Sequence, residues 1–346
     1  MNEPAQSWAG LLGGNDRRGG SSAARASRPQ ELVWRVSLPD AIRSSPVFHN
    51  GLLFVTCRDG RLYALDGRTG AERWTVQAHA PVHSTPAIDG RLLLFGSDDG
   101  TLYAVDHSSG RLQWTLQSEG AIWTSVAIHQ DALYFGTSAG RLVAADRHGG
   151  KIRWVRSYGA QIHSTPFATD RHVYFGSSDG RIHALAPSSG EEAWSYETGD
   201  GVTASPAVAE GLVLVGSEDY FFYAIDAASG RLRWRFETGL GIASAAAVAG
   251  GRVLFGGKDG YLYALALADG RQLWRSASLR QITAPPLAAP ASVLVQSFTG
   301  AAKAYDLNTG AELWTASLGG SLQSTPAVTD DYIFLATHPG VVYAVR

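Results

Sequence analysis

Short apolar runs rich in Val, Leu, Phe and Tyr punctuate this chain from residue 31 onward. The first four fall at 31–36, 45–48, 52–56 and 61–66, separated by Asn50-Gly51, Asp59-Gly60 and Gly67-Arg68-Thr69-Gly70. Runs of this length between turn residues predict buried or half-buried β-strands. Asn-Gly and Asp-Gly predict tight hairpins, because both residues tolerate positive φ. The whole four-strand pattern then returns every forty residues without insertion or deletion.

Tryptophan marks the period at Trp34, Trp74, Trp114, Trp154, Trp194, Trp234, Trp274 and Trp314. Ala64, Ala104, Ala144, Ala184, Ala224, Ala264, Ala304 and Ala344 fill a second column, and seven glycines from Gly70 to Gly310 precede a tryptophan by four residues. A period in this range marks a repeat architecture, whose units stack on neighbours instead of each building a core. Four antiparallel strands per unit predict propeller blades. The Trp34 strand has no hairpin before it, and residues 341–346 match the third strand of a unit. Pairing the two, with a strand at about 31–38 completing the last blade, leaves no open sheet edge. The expectation is an all-β, eight-bladed propeller forming one domain over 31–346.

The motifs carry a family resemblance. Asp-x-x-x-Gly-x-x-x-Trp recurs at 66–74, 106–114 and 226–234; Ser-Pro-Ala-Val stands at 205–208; Gly-Ser-x-Asp-Gly stands at 96–100 and 176–180; Leu-Tyr-Ala-Val-Asp follows at 102–106. This pattern resembles the tryptophan-docking repeat of PQQ-like propellers, and it lacks the Gly-His and Trp-Asp pairs of WD-type repeats. The resemblance implies indoles at blade edges that pack on the neighbouring turn. It also implies two kinds of function. PQQ-dependent dehydrogenases use the quinone with calcium and carry a vicinal cysteine pair against it; Cys57 is the sole cysteine here and the loops have minimum length, so no cofactor is predicted. BamB-like propellers share the length and blade number, and act as periplasmic, lipid-anchored scaffolds for protein–protein interaction.

Charge and composition narrow the classes further. With 29 basic and 31 acidic residues well mixed, the chain has no electrostatic footprint of a nucleic-acid binder. No apolar run approaches the ~18 residues of a membrane span. One cysteine excludes an internal disulfide, and no Cys/His spacing resembles a zinc site. Residues 1–30, rich in Gly, Ser, Ala and Arg, read as a disordered tail. Residues 8–12 are too short for the ~7–15-residue apolar core of a signal peptide. A cytoplasmic location is expected, or a periplasmic one if a natural leader is missing.

Repeated columns serve packing, so departures from the repeat are the candidates for function. The most variable column lies nine residues after each tryptophan and reads Arg43, His83, Trp123, His163, Thr203, Ala243, Thr283, Gln323. Closure would set these around the channel mouth. On the same face the hairpins between second and third strands contribute Arg58, Asp98, Ser138, Ser178, Glu218, Lys258, Phe298 and His338. One half of the ring is cationic and aromatic, which suits an anionic or aromatic ligand; ordinary solvation of a wet channel mouth accounts for the same residues without one. The ligand-binding candidates are Arg43, His83, Trp123, His163, Gln323, Arg58, Glu218, Lys258 and His338. Catalytic candidates are His83, His163 and Asp98, with Asp98 able to hold the His83 tautomer. A metal between His83 and His163 is not expected, since two blades separate them. Tyr220, in a glycine column, with Phe221-Phe222 beside it, predicts either a packed bulge or a partner contact. The expected function is a rigid binding scaffold for a protein or small ligand, with an enzyme acting at the channel mouth without a quinone as the alternative.

Overall fold

The computed structural model describes residues 31–276 and 280–346, so the expected tail over 1–30 lies outside the described residues. Within them the chain forms eight four-stranded antiparallel sheets and no helix, arranged in chain order as the blades of a propeller. Blade 1 comprises Val47–His49, Leu52–Cys57, Arg61–Asp66 and Glu72–Gln77, and the later blades repeat it. Its innermost strand starts later than the pattern suggested, because the residues before it have other partners. Ser45 N donates to Thr85 Oγ1 of the next blade at 3.0 Å, and Pro46 has no N–H to give.

The ring closes as the two ends of the repeat predict. Leu32–Ser37 runs antiparallel to Val341–Val345, with Trp34 opposite Ala344 and Ser37 opposite Val341. It thereby becomes the outer strand of blade 8. At the inner rim, Thr325 N donates to Ser45 Oγ at 3.0 Å and ties blade 8 to blade 1 a second time.

The conserved-looking columns within the chain have distinct physical causes. Each alanine of the Ala64 column stands directly across the ladder from a tryptophan, as in Ala64 with Trp74 and Ala144 with Trp154, and a bulge follows. Those alanines are fully buried, so a larger side chain would have to displace a neighbouring strand. The indoles reach the next blade. Trp154 Nε1 donates to Pro187 O at 2.9 Å, Trp234 to Leu267 O at 3.0 Å and Trp274 to Leu307 O at 3.1 Å. A Cβ on Gly190 would come within 2.7 Å of the Trp154 ring, and its φ of +69° also favours glycine. The tryptophan docking implied by the resemblance is therefore present. Trp74 and Trp114 keep the stacking on Gly110 and Gly150, but their buried Nε1 atoms have no hydrogen-bond partner.

Backbone hydrogen bonds establish which loops share a face. Arg58 N donates to Ala41 O at 3.0 Å, Asp98 N to Pro81 O at 2.9 Å, Glu218 N to Gly201 O at 3.0 Å and His338 N to Ser321 O at 2.8 Å. The hairpin between second and third strands is thus bonded to the loop that enters the same blade. Both surround the mouth of the channel.

Candidate functional site at the channel mouth

The irregular residues of blades 2 to 4 form one connected array. Asp98 is its centre: Oδ2 stands 3.3 Å from His83 Nε2, and Oδ1 accepts the Trp123 indole N–H at 2.7 Å. Trp123 belongs to the next blade, so this carboxylate bridges two blades. The Trp123 ring then lies on His163, centroids 5.1 Å apart and nearly parallel at 14°. His163 Nε2 is fixed in turn by Gln161 Oε1 at 2.9 Å. His83 and Asp98 do meet, whereas His83 and His163 have the Trp123 indole between them.

Electrostatics place the arginines beside this array. Burial lowers the His83 pKa, the Asp98 carboxylate opposes that, and the Arg43 and Arg58 charges lower it further. His163 is also lowered, by burial. With Asp98 accepting at Nε2, the His83 lone pair sits on Nδ1, which is buried without a hydrogen-bond partner. Arg58 Nε is likewise buried and unpartnered. Among the described residues neither Arg43 nor Arg58 has a carboxylate partner. Trp123 keeps 36% of its surface exposed.

The opposite side of the ring is internally satisfied. Lys258 Nζ donates to both Glu218 oxygens, at 2.8 and 2.7 Å, and Thr203 Oγ1 donates to Glu218 Oε1 at 2.9 Å. Glu218 and Lys258, grouped by sequence with the ligand-binding residues, therefore spend their charges on each other. Gln323 Nε2 donates to Ser321 Oγ at 3.1 Å, and His338 is half-buried in the hairpin of blade 8. The Tyr220 hairpin divides: Phe222 is fully buried, Phe221 is half-buried, and Tyr220 is 48% exposed. Sequence reasoning missed Leu240, Arg280 and Gln281, which lie on the same face. The signal was a column otherwise holding Ala, Gly or Asp, in which Leu240 and Arg280 are the large side chains.

The model of the outer membrane protein assembly factor BamB matches residues 20–165 and 159–346. The chain belongs to the BamB family of PQQ-like propellers. A comparison with curated proteins finds no match. BamB from Moraxella catarrhalis superposes with a TM-score of 0.79 at 20% identity, covering 91% of this chain and 99% of that one. A computationally designed protein, Ika8, superposes equally well, with TM-score 0.80, 20% identity, and coverage of 89% and 97%. The quinohemoprotein alcohol dehydrogenase from Comamonas testosteroni reaches 0.84 at 15% identity, over 98% of this chain and 80% of that one. An assembly factor, a designed protein and an oxidoreductase share this frame. Membership of the BamB family thus establishes the fold, and function has to be argued from the mouth.

Proposed function

We propose that this chain is a rigid binding propeller that holds an anionic ligand with an aromatic part at its channel mouth. The observation that carries the reading is the pair Arg43 and Arg58. Both guanidiniums lie beside an array already fixed by Asp98, and neither is paired with a carboxylate among the described residues. Planar guanidinium groups match carboxylate, sulfonate or phosphate oxygens through paired N–H donors. The half-open Trp123 ring adds a face for a flat apolar group.

Acid–base catalysis draws less support from the same geometry. His83 Nε2 faces Asp98 and Nδ1 is buried, so His83 offers no accessible lone pair. The quinone of related dehydrogenases does not fit well either. Cys57 is fully buried, its Sγ 3.2 Å from Asp40 O, so no thiol faces the mouth. Among the described residues no group of three or more His, Cys, Asp or Glu is placed to hold a metal. A second reading, a scaffold for a protein partner, is favoured by the family's description as an assembly factor; an acidic side chain of a partner would use the same arginines.

The test is a titration with naphthalene disulfonate and with sulfate, followed by calorimetry on the parent and on Trp123→Ala. The aromatic dianion is expected to bind more tightly than sulfate. Arg43→Ala combined with Arg58→Ala is expected to weaken it by about tenfold or more, as loss of charged hydrogen bonds does. Undiminished binding in the double variant would remove the mouth as the site.

A further inference from the structure

Four large apolar side chains are exposed on the mouth face among the described residues: Trp123, Tyr220, Leu240 and Phe298. Trp123 belongs to the array already described. The other three fall together in blades 5 to 7, away from it. Tyr220 stands out because its backbone is at φ +76°, the left-handed region. Every equivalent position is glycine, from φ +73° at Gly140 to +88° at Gly340. A bulky residue at positive φ is an outlier, since its Cβ crowds the backbone. That crowding is visible in the other blades: a Cβ on Gly100 would stand 2.9 Å from Gly120 O, and one on Gly60 would stand 3.1 Å from Ala80 O. The fold asks for glycine here, and the chain supplies an exposed aromatic. Strain of this kind gathers at binding surfaces.

Backbone hydrogen bonds hold the Tyr220 and Leu240 loops together, and Phe298 lines the cleft beside them. Tyr220 O accepts from Thr238 N and Thr238 Oγ1, both at 2.8 Å, and the same hydroxyl lies 2.7 Å from Leu240 O. Gly241, next in the chain, accepts from Lys258 N at 3.0 Å. Lys258 opens a cleft of about 360 Å³, which it lines with Asp259, Arg280, Gln281 and Phe298. The charges in that cleft are unequal in their freedom. Lys258 is held by Glu218, and Asp259 accepts from Tyr263 Oη at 2.6 Å and Gly239 N at 2.9 Å. Arg280 is exposed and has no ion pair among the described residues. The free charge beside the apolar rim is therefore positive.

We propose that Tyr220, Leu240, Phe298 and Arg280 form a docking surface for a protein partner presenting an acidic segment with one large apolar side chain. The carboxylate would sit on Arg280 and the apolar group in the cleft, flanked by Tyr220 and Leu240. Exposed aromatic residues with an arginine are the composition that dominates binding energy at protein interfaces. This surface lies in other blades than Arg43 and Arg58, so it stands or falls independently of the ligand reading.

The experiment pans a phage-displayed library of roughly 12-residue peptides, long enough for one extended recognition segment, on the full chain. Counter-selection uses the chain carrying Tyr220→Gly and Arg280→Glu. Enriched sequences are expected to combine Asp or Glu with Phe, Leu, Tyr or Trp. A synthetic peptide of that sequence should lose about tenfold or more in affinity with Arg280→Glu or Phe298→Ser, the loss typical of a hot-spot residue. Tyr220→Gly should weaken the peptide while raising the melting temperature, which a misfolded variant would not do. Arg43→Ala with Arg58→Ala should leave the peptide affinity unchanged. The proposal is overturned by an absence of enrichment, by peptides without carboxylates, by affinity insensitive to Tyr220→Gly, or by loss in the Arg43 and Arg58 variant.

Discussion

Trp154 and Trp123 are indoles in neighbouring regions of the same chain, and they are used in opposite ways. Trp154 is buried at 8% exposure, lies on Gly190 and donates to the backbone carbonyl of Pro187. Trp123 is 36% exposed, lies on His163 and donates to the side chain of Asp98. A backbone carbonyl serves Trp34, Trp154, Trp194, Trp234 and Trp274 alike, so the seam contact recurs around the ring. A side-chain partner exists only where the sequence places one, so the mouth contact occurs once. Seam residues should therefore govern stability, and mouth residues should govern recognition.

The largest test of that division is Trp154→Ala. It should cost about 3–5 kcal/mol of stability, as loss of a buried aromatic does, and should leave naphthalene disulfonate affinity unchanged below the unfolding transition. A denaturant midpoint equal to that of the parent would contradict the docking role. Gly190→Ala comes next, at about 1–3 kcal/mol, because the new methyl group both meets the Trp154 ring and disfavours the positive φ. Tyr220→Gly should act in the other direction, raising stability by about 1 kcal/mol through relief of a left-handed backbone; calorimetric melting reads it directly.

The pH dependence sharpens the mouth side of the comparison. Burial lowers the folded-state pKa of His83 and His163 from 6.5, so the unfolded chain binds these protons first as pH falls. The stability these neutral histidines contribute is fully present above pH 6.5 and is lost as the pH falls below it. Melting temperatures at pH 7.5 and 5.5 should differ more for the parent than for His163→Phe. The smallest effect belongs to Arg43→Ala, which should move stability by no more than about 0.5 kcal/mol, as exposed substitutions do, despite its part in binding.

The frame was legible because packing repeats at the period of the chain. The Trp34 and Ala344 columns announced both the blades and the closing strand, and the Gly190 column announced the turn on which an indole rests. The mouth was legible only as a set of unusual residues. Its contacts run diagonally between blades, as from Asp98 to Trp123, or along one column, as from Glu218 to Lys258, and a column read by itself shows neither. That is why Glu218 and Lys258 were grouped with the ligand-binding residues although they neutralise each other. Leu240 and Arg280 stand outside the two columns that depart most from the repeat. Their own column reveals them only as large side chains among small ones.

The closing strand has a topological consequence. Glu31 N donates to Arg346 O at 3.0 Å, and Arg346 N returns a bond to Glu31 O at 2.9 Å. Residues 31 and 346 are ladder neighbours, so a short linker would join them, and any exposed turn could become the new chain opening. The order in which the blades are synthesised is thus separable from the ring they make. A permuted chain opened between blades would keep all eight sheets and build each from one contiguous stretch, so no blade would be completed from both ends.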